Sequence, residues 1–215
     1  MTLRRLVLVR HGQTDYNADG RMQGHIDSEL TDLGIAQARG AAPFLAGYLP
    51  VRLLSSDLSR AARTAAELGL ATGLPVMLDS RLRETYLGKW QGYTPGEVEA
   101  NWPGALATWR DDPTWAPPGG ESKVDVAARA LPVVEELDAR YTGDEPVTVM
   151  FCAHGGVIAA LSCALIGLDP PSWNALGGLG NVHWAVLRRR TESGGRWRLT
   201  GFDIGVLDRP SSAGV

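Results

Sequence analysis

The sequence predicts an α/β fold in three layers, with a mostly parallel central sheet and helices on both faces. Three observations predict it. The unbroken apolar run LVLV at 6–9 and the largely apolar VTVMFCA at 147–153 have the character of buried strands. Stretches with helical spacing separate the strand candidates along the chain. Polar residues capable of chemistry gather directly after the strand candidates, where open α/β sheets bind ligands.

The elements follow in order. The first strand is 6–9, and the polar, glycine-containing residues 10–30 read as a loop. The spacing predicts a helix over 31–48, with Leu33, Ala36, Phe44 and Leu45 facing inward and Gly34 as its weak point. Residues 51–55 form a second strand. Asp57 is a good N-cap for a helix running to about Thr72, and 75–79 is a third short strand. Residues 80–121 differ in kind. They hold four of the seven tryptophans and five prolines, with short helical pieces at 96–101 and 105–111. They read as a lid-like excursion over one face of the sheet, the sort of long ordered loop that carries function. A long helix at 122–141, a buried strand at 146–153 and an apolar helix at 156–167 come next. Strands at 182–189 and 197–204 close the sheet, joined by a turn at 192–195. Without an internal repeat or a dividing linker, residues 1–208 are expected to form one domain, and 209–215 a disordered tail.

The 215 residues are 44% hydrophobic and 21% charged, which excludes a disordered chain, a collagen-like repeat and a disulfide-dense miniprotein. A formal net charge of −3 gives no reason to expect nucleic acid or membrane as a partner. Cys152 and Cys163 lie in apolar runs and read as buried thiols. The apolar stretch at the start is short for a signal peptide, and no later run approaches the roughly 20 residues that span a bilayer. A cytoplasmic location is expected.

The chemistry lies in four places after strands: Arg10-His11-Gly12, the SSDLSR segment ending at Arg60, Arg83-Glu84, and His154-Gly155-Gly156. Only four histidines occur in the chain, and two of them occupy such ends. Guanidinium groups beside two imidazoles would repel a metal cation, so no metal is expected, and no other cofactor is expected either. They favour an anion with several oxygens, and phosphate matches guanidinium bidentately. Gly155 and Gly156 allow backbone N–H groups to approach such an anion at a helix start. A neutral imidazole can attack phosphorus, and cationic neighbours help keep it deprotonated. Glu84 is the candidate to protonate the leaving alkoxide; the plainer reading of Glu84 is a salt bridge to Arg81 or Arg83.

The segments LVRHGQTDYN, SSDLSRAARTA, RLRETYLGKWQG, GGESKVDVAAR and CAHGG, in this order, resemble the histidine phosphatase superfamily, in its phosphoglycerate mutase-like branch. The resemblance runs from Leu6 to about Ile204. It implies the three-layer fold of that branch and a metal-independent phosphomonoesterase. His11 would be the nucleophile that becomes phosphohistidine. Arg10 and Arg60 would clamp the phosphoryl oxygens, and His154 would donate to the same oxygens. Glu84 would act as acid and then base. Asn17, Gln23, Gly24 and Gly155 would complete the pocket around a small phosphorylated metabolite. A homodimer is implied, since related phosphatases are often dimers. The segments GQTDYN, RMQG, TWAPPGGES and ALGGLGN narrow the resemblance to one phosphatase group within the branch.

Alternatives are a phosphoglycerate mutase or a broad-specificity phosphatase of the same superfamily, and a catalytically silent interaction scaffold. The basic insertion of the mutases has no counterpart in 85–121. A scaffold has no need to keep His11, Arg60, Glu84 and His154 together. A nucleophilic Cys152 is disfavoured, because the sixth residue after it is Ile158 and not arginine. His25 and His183 are expected at the surface or the mouth. Trp90, Trp102 and Trp115 are expected to pack rather than stack on a sugar.

Overall fold

The computed structural model describes residues 1–189 and 195–206. The predicted tail, and the predicted turn apart from Gly195, lie outside the described residues. Among the described residues six strands form one sheet: β1 (Thr2–Arg10), β2 (Pro50–Ser55), β3 (Val76–Leu78), β4 (Pro146–Ala153), β5 (Trp184–Arg189) and β6 (Trp197–Ile204). Their order is β3-β2-β4-β1-β5-β6. The first four strands run parallel, β5 is antiparallel to β1, and β6 is antiparallel to β5. The helices are α1 (Asp15–Ala18), α2 (Asp32–Ala46), α3 (Ser59–Thr72), α4 (Pro95–Asn101), α5 (Ala105–Asp111), α6 (Lys123–Arg140) and α7 (Gly155–Ile166).

The unbroken apolar run in β1 has a simple cause. Leu6 and Leu8 enter the core beneath α6 and α7, while Val7 and Val9 enter the core beneath α2 and α3. A strand covered on both faces needs apolar residues at every position. Each such side chain contributes about 1.5–3 kcal/mol on burial. The central strands are thereby fixed, and so are the positions of the polar residues at their carboxyl ends.

Two local expectations are corrected. Helix α2 exposes Leu33 (53%), Phe44 (58%) and Ala36, and buries Gly34, Ala38, Ala41, Ala42 and Leu45. Small residues form its inner face because the backbone comes close to its neighbours. A Cβ on Gly34 would collide with the Gln13 carbonyl, and one on Gly12 with the Gly34 carbonyl. Gly34 therefore lets α2 pack against the loop that carries His11. The second correction concerns Asp57, which does not cap α3. The N-cap is Leu58, without a side-chain cap bond. Asp57 instead accepts two hydrogen bonds from Arg83, at 2.7 and 2.6 Å. Asp27, far away in sequence, takes the Ser59 N–H at 2.7 Å and the Ser59 hydroxyl at 2.8 Å.

The excursion has a small core of its own. Trp90 is fully buried with Leu87, Val98 and Leu106. The rings of Trp102, Trp109 and Trp115 lie 5.5–6.3 Å from it. Trp90, Trp102 and Trp115 pack, as expected, and the inner edge of this cluster forms one wall of the cleft at the carboxyl end of the sheet.

Candidate active site

Adjacent strands β2, β4 and β1 deliver Ser55-Ser56, Ala153-His154 and Arg10-His11 to the same end of the sheet. Arg60 enters from the first turn of α3, and Glu84 from the chain after the 3₁₀ turn Ser80–Leu82. A cleft of about 690 Å³ opens there. Eight of the nine predicted residues line it: Arg10, His11, Asn17, Gln23, Gly24, Arg60, Glu84 and Gly155. The ninth, His154, lies fully buried behind this wall.

His11 is buried, and its Nδ1 lies 2.7 Å from the Gly12 carbonyl. A carbonyl only accepts, so Nδ1 carries the proton and Nε2 holds the free lone pair. Burial first, then the charges of Arg10 and Arg60, hold this imidazole well below its usual pKa. It is neutral at physiological pH and nucleophilic at Nε2.

The guanidiniums have unspent donors. Arg60 is buried and gives one bond each to His154 Nδ1 (3.2 Å), the Ile26 carbonyl (2.8 Å) and the Gly24 carbonyl (2.8 Å). Two of its five N–H groups remain. Burial lowers its pKa to about 10, so it stays charged at neutral pH. Arg10 donates to the Leu179 carbonyl, and its buried Nε has no partner among the described residues. An orphaned cationic donor beside a neutral imidazole invites an anion.

Glu84 answers to neither plain salt bridge. Arg83 pairs with Asp57, and Arg81 with Asp79 and Glu136. The Glu84 carboxylate instead sits at the start of α7, accepting from Gly156 N (3.0 Å), Val157 N (3.2 Å) and Thr85 N (2.7 Å). A Cβ on Gly156 would strike Glu84 Oε1, so glycine is needed for this approach. The expectation that the Gly156 N–H meets the substrate anion is thereby corrected: Glu84 occupies it. Arg129 of the GGESKVDVAAR segment donates to the Glu84 carbonyl (2.8 Å) while paired with Glu121, and so anchors this stretch.

His154 also differs from expectation. Its Nδ1 accepts from Arg60 Nε, which leaves the proton on Nε2, 2.9 Å from Ser56 Oγ. Burial first, then Arg60, His11 and Arg10, depress its pKa and keep it neutral. Both ring nitrogens are engaged, so direct donation to a phosphoryl oxygen is not the arrangement seen. The ring lies 5.1 Å from that of His11, edge to face.

Further supports were not predicted. Asn181 Nδ2 bridges the His11 carbonyl and Asn17 Oδ1, each at 3.1 Å. Thr64 Oγ1 accepts from Gly12 N at 3.0 Å. Ser56 fixes the His154 ring. No local motif marks them, since each acts through a contact made only in the fold. Among the set-aside residues, His25 stands at the mouth, half-buried, with Nε2 2.7 Å from the Glu84 carbonyl. His183 pairs with Asp203 near the surface. Burial pushes the Cys152 thiol pKa far up, and its Sγ donates to the Ala61 carbonyl, so it is an inert core thiol.

Fold and site together have the character of a phosphatase domain, with a neutral histidine and two arginines at one cleft. The histidine phosphatase superfamily (branch 1) model matches residues 6–203. A glucosyl-3-phosphoglycerate phosphatase of Mycolicibacterium vanbaalenii is 52% identical over 213 residues, covering 93% of this chain and 94% of its own. The Mycobacterium tuberculosis protein of that name is 53% identical over 209 residues, with the same coverage. The solved structure of a mycobacterial glucosyl-3-phosphoglycerate phosphatase in complex with VO3 superposes with a TM-score of 0.88. It is 51% identical, covering 94% of this chain and 100% of the other. The chain belongs to the histidine phosphatase superfamily and is a phosphoric monoester hydrolase.

Proposed function

We propose that the chain hydrolyses glucosyl-3-phosphoglycerate through a phosphohistidine at His11, without a metal. The observation that carries this reading is a neutral His11 with Nε2 free, beside a buried Arg10 Nε that has no partner among the described residues. The substrate is taken from the two relatives and the solved structure named above. Nε2 attacks phosphorus in line as the P–O bond to the glycerate breaks. Arg10 and Arg60 hold the phosphoryl oxygens and spread the developing charge. Glu84 is the group that hands a proton to the leaving alkoxide. As carboxylate it then takes a proton from the water that cleaves the P–N bond. His154 orients Arg60. Asn17, Gln23, Gly24 and Gly155 shape the wall around it.

The test is a ranking of phosphorylated metabolites by kcat/KM in the presence of EDTA. We expect glucosyl-3-phosphoglycerate to rank first, with inorganic phosphate released and no loss on chelation. A higher rank for another phosphate, or activity restored only by a divalent ion, contradicts the reading. The reading includes a cytoplasmic homodimer. Exposed Met77 and Leu78 on the sheet-edge strand β3 support a second copy pairing there, and sedimentation as a monomer at micromolar concentration speaks against it.

A further inference from the structure

The cleft is longer than a phosphate needs. Gly155 and Cys163 both line it, separated along α7 by about 12 Å of helix rise. Gly155 stands beside Arg10, at the reacting end. At the far end Lys123, which follows the Ser122 cap of α6, lies beside Cys163. Lys123 is half-buried, and its Nζ stands 5.7 Å from the centre of the Trp109 ring and donates to the Arg110 carbonyl at 2.8 Å. Asp111 and Asp112 attract it from a distance, but no carboxylate pairs with it within 4.0 Å among the described residues. Two of its three protons are uncommitted. Trp109 also lines the cleft, and its buried Nε1 has no partner among the described residues. Trp90 has a similar orphaned Nε1 but lies away from the cleft, in the tryptophan cluster.

We infer that this far end is a sugar subsite, in which the Lys123 ammonium and the Trp109 indole N–H donate to hydroxyls of the glucosyl ring. Lys123 is then a specificity-determining residue. The inference rests on the substrate reading above and deepens it. Reach selects the sugar over the carboxylate. In a 3-phosphoglycerate with its remaining hydroxyl glycosylated, five bonds separate phosphorus from the carboxylate oxygens, a span of about 6 Å. The far sugar hydroxyls stand nine bonds away, about 10 Å when extended. With phosphorus at His11, only the sugar arrives at Lys123. Sugar hydroxyls accept from both donors, which relieves the unpartnered indole.

The experiment compares wild type with Lys123→Met, which keeps the stem and removes the charge. The substrates are glucosyl-3-phosphoglycerate, 3-phosphoglycerate and p-nitrophenyl phosphate. The ratio of kcat/KM for the glucosylated substrate to that for p-nitrophenyl phosphate is expected to fall about tenfold, the usual worth of one charged hydrogen bond, through KM rather than kcat. The same ratio taken with 3-phosphoglycerate stays within about twofold. A proportional loss on all three substrates, or no loss on any, overturns the inference. An equal loss with 3-phosphoglycerate assigns Lys123 to the carboxylate and overturns it too. Trp109→Phe keeps a ring and removes the N–H; it should lower the first ratio by a smaller factor, and it decides the matter where Lys123→Met fails to fold. If wild type itself shows no preference for the glucosylated substrate, the substrate reading fails, separately from the Lys123 assignment.

Discussion

His11→Ala is expected to lower kcat by at least about 10³-fold while the protein stays folded. The side chain supplies the lone pair that forms the covalent intermediate, and no neighbouring group replaces it. His154 has both ring nitrogens engaged, and Cys152 is a buried thiol bound to the Ala61 carbonyl. The fold should survive because backbone groups of the loop carry its anchors: Thr64 to Gly12 N, Asn181 to the His11 carbonyl, and the Gly12–Gly34 contact. A purified, folded variant that keeps more than about a tenth of wild-type kcat would rule out a nucleophilic His11.

Glu84→Gln should separate substrates by their leaving groups. A glycerate alkoxide leaves only with a proton, whereas p-nitrophenolate leaves with little help. The expected loss in kcat/KM is about 10²–10⁴ for alkyl phosphates, and clearly smaller for p-nitrophenyl phosphate. The substitution also disturbs the start of α7. The amide keeps one oxygen to accept from Thr85 N and Val157 N, but its NH₂ group faces the Gly156 N–H. That disturbance acts on both substrates and cancels in their ratio. Equal losses would reduce Glu84 to a structural cap of the helix, and no loss would place the proton elsewhere.

The expected α/β architecture with its mostly parallel sheet is the one observed, because two-sided burial of β1 and β4 leaves a continuous apolar signal. Which residues cluster at the site was legible for a related reason: parallel strands carry whatever follows them to one end of the sheet. What escaped sequence reading depends on contacts distant in the chain. Leu33 and Phe44 looked like core by size, yet α2 packs on glycine and alanine because the His11 loop comes so close. Asp57 had the spacing of a cap, but Arg83 claims it and Asp27 serves the helix instead. His154 was readable as a site histidine. Its place behind Arg60, bound to Ser56, was not, since both partners approach from another strand–helix unit.

The central claim is a phosphoryl group held covalently on His11. Rapid quenching during turnover of radiolabelled phosphomonoester, followed by peptide mapping, tests it most directly. The account predicts label on the peptide that contains His11, stable to alkali and labile to acid, and absent from His11→Ala. Turnover without protein-bound label, or label on Cys152 or on a carboxylate, would contradict it.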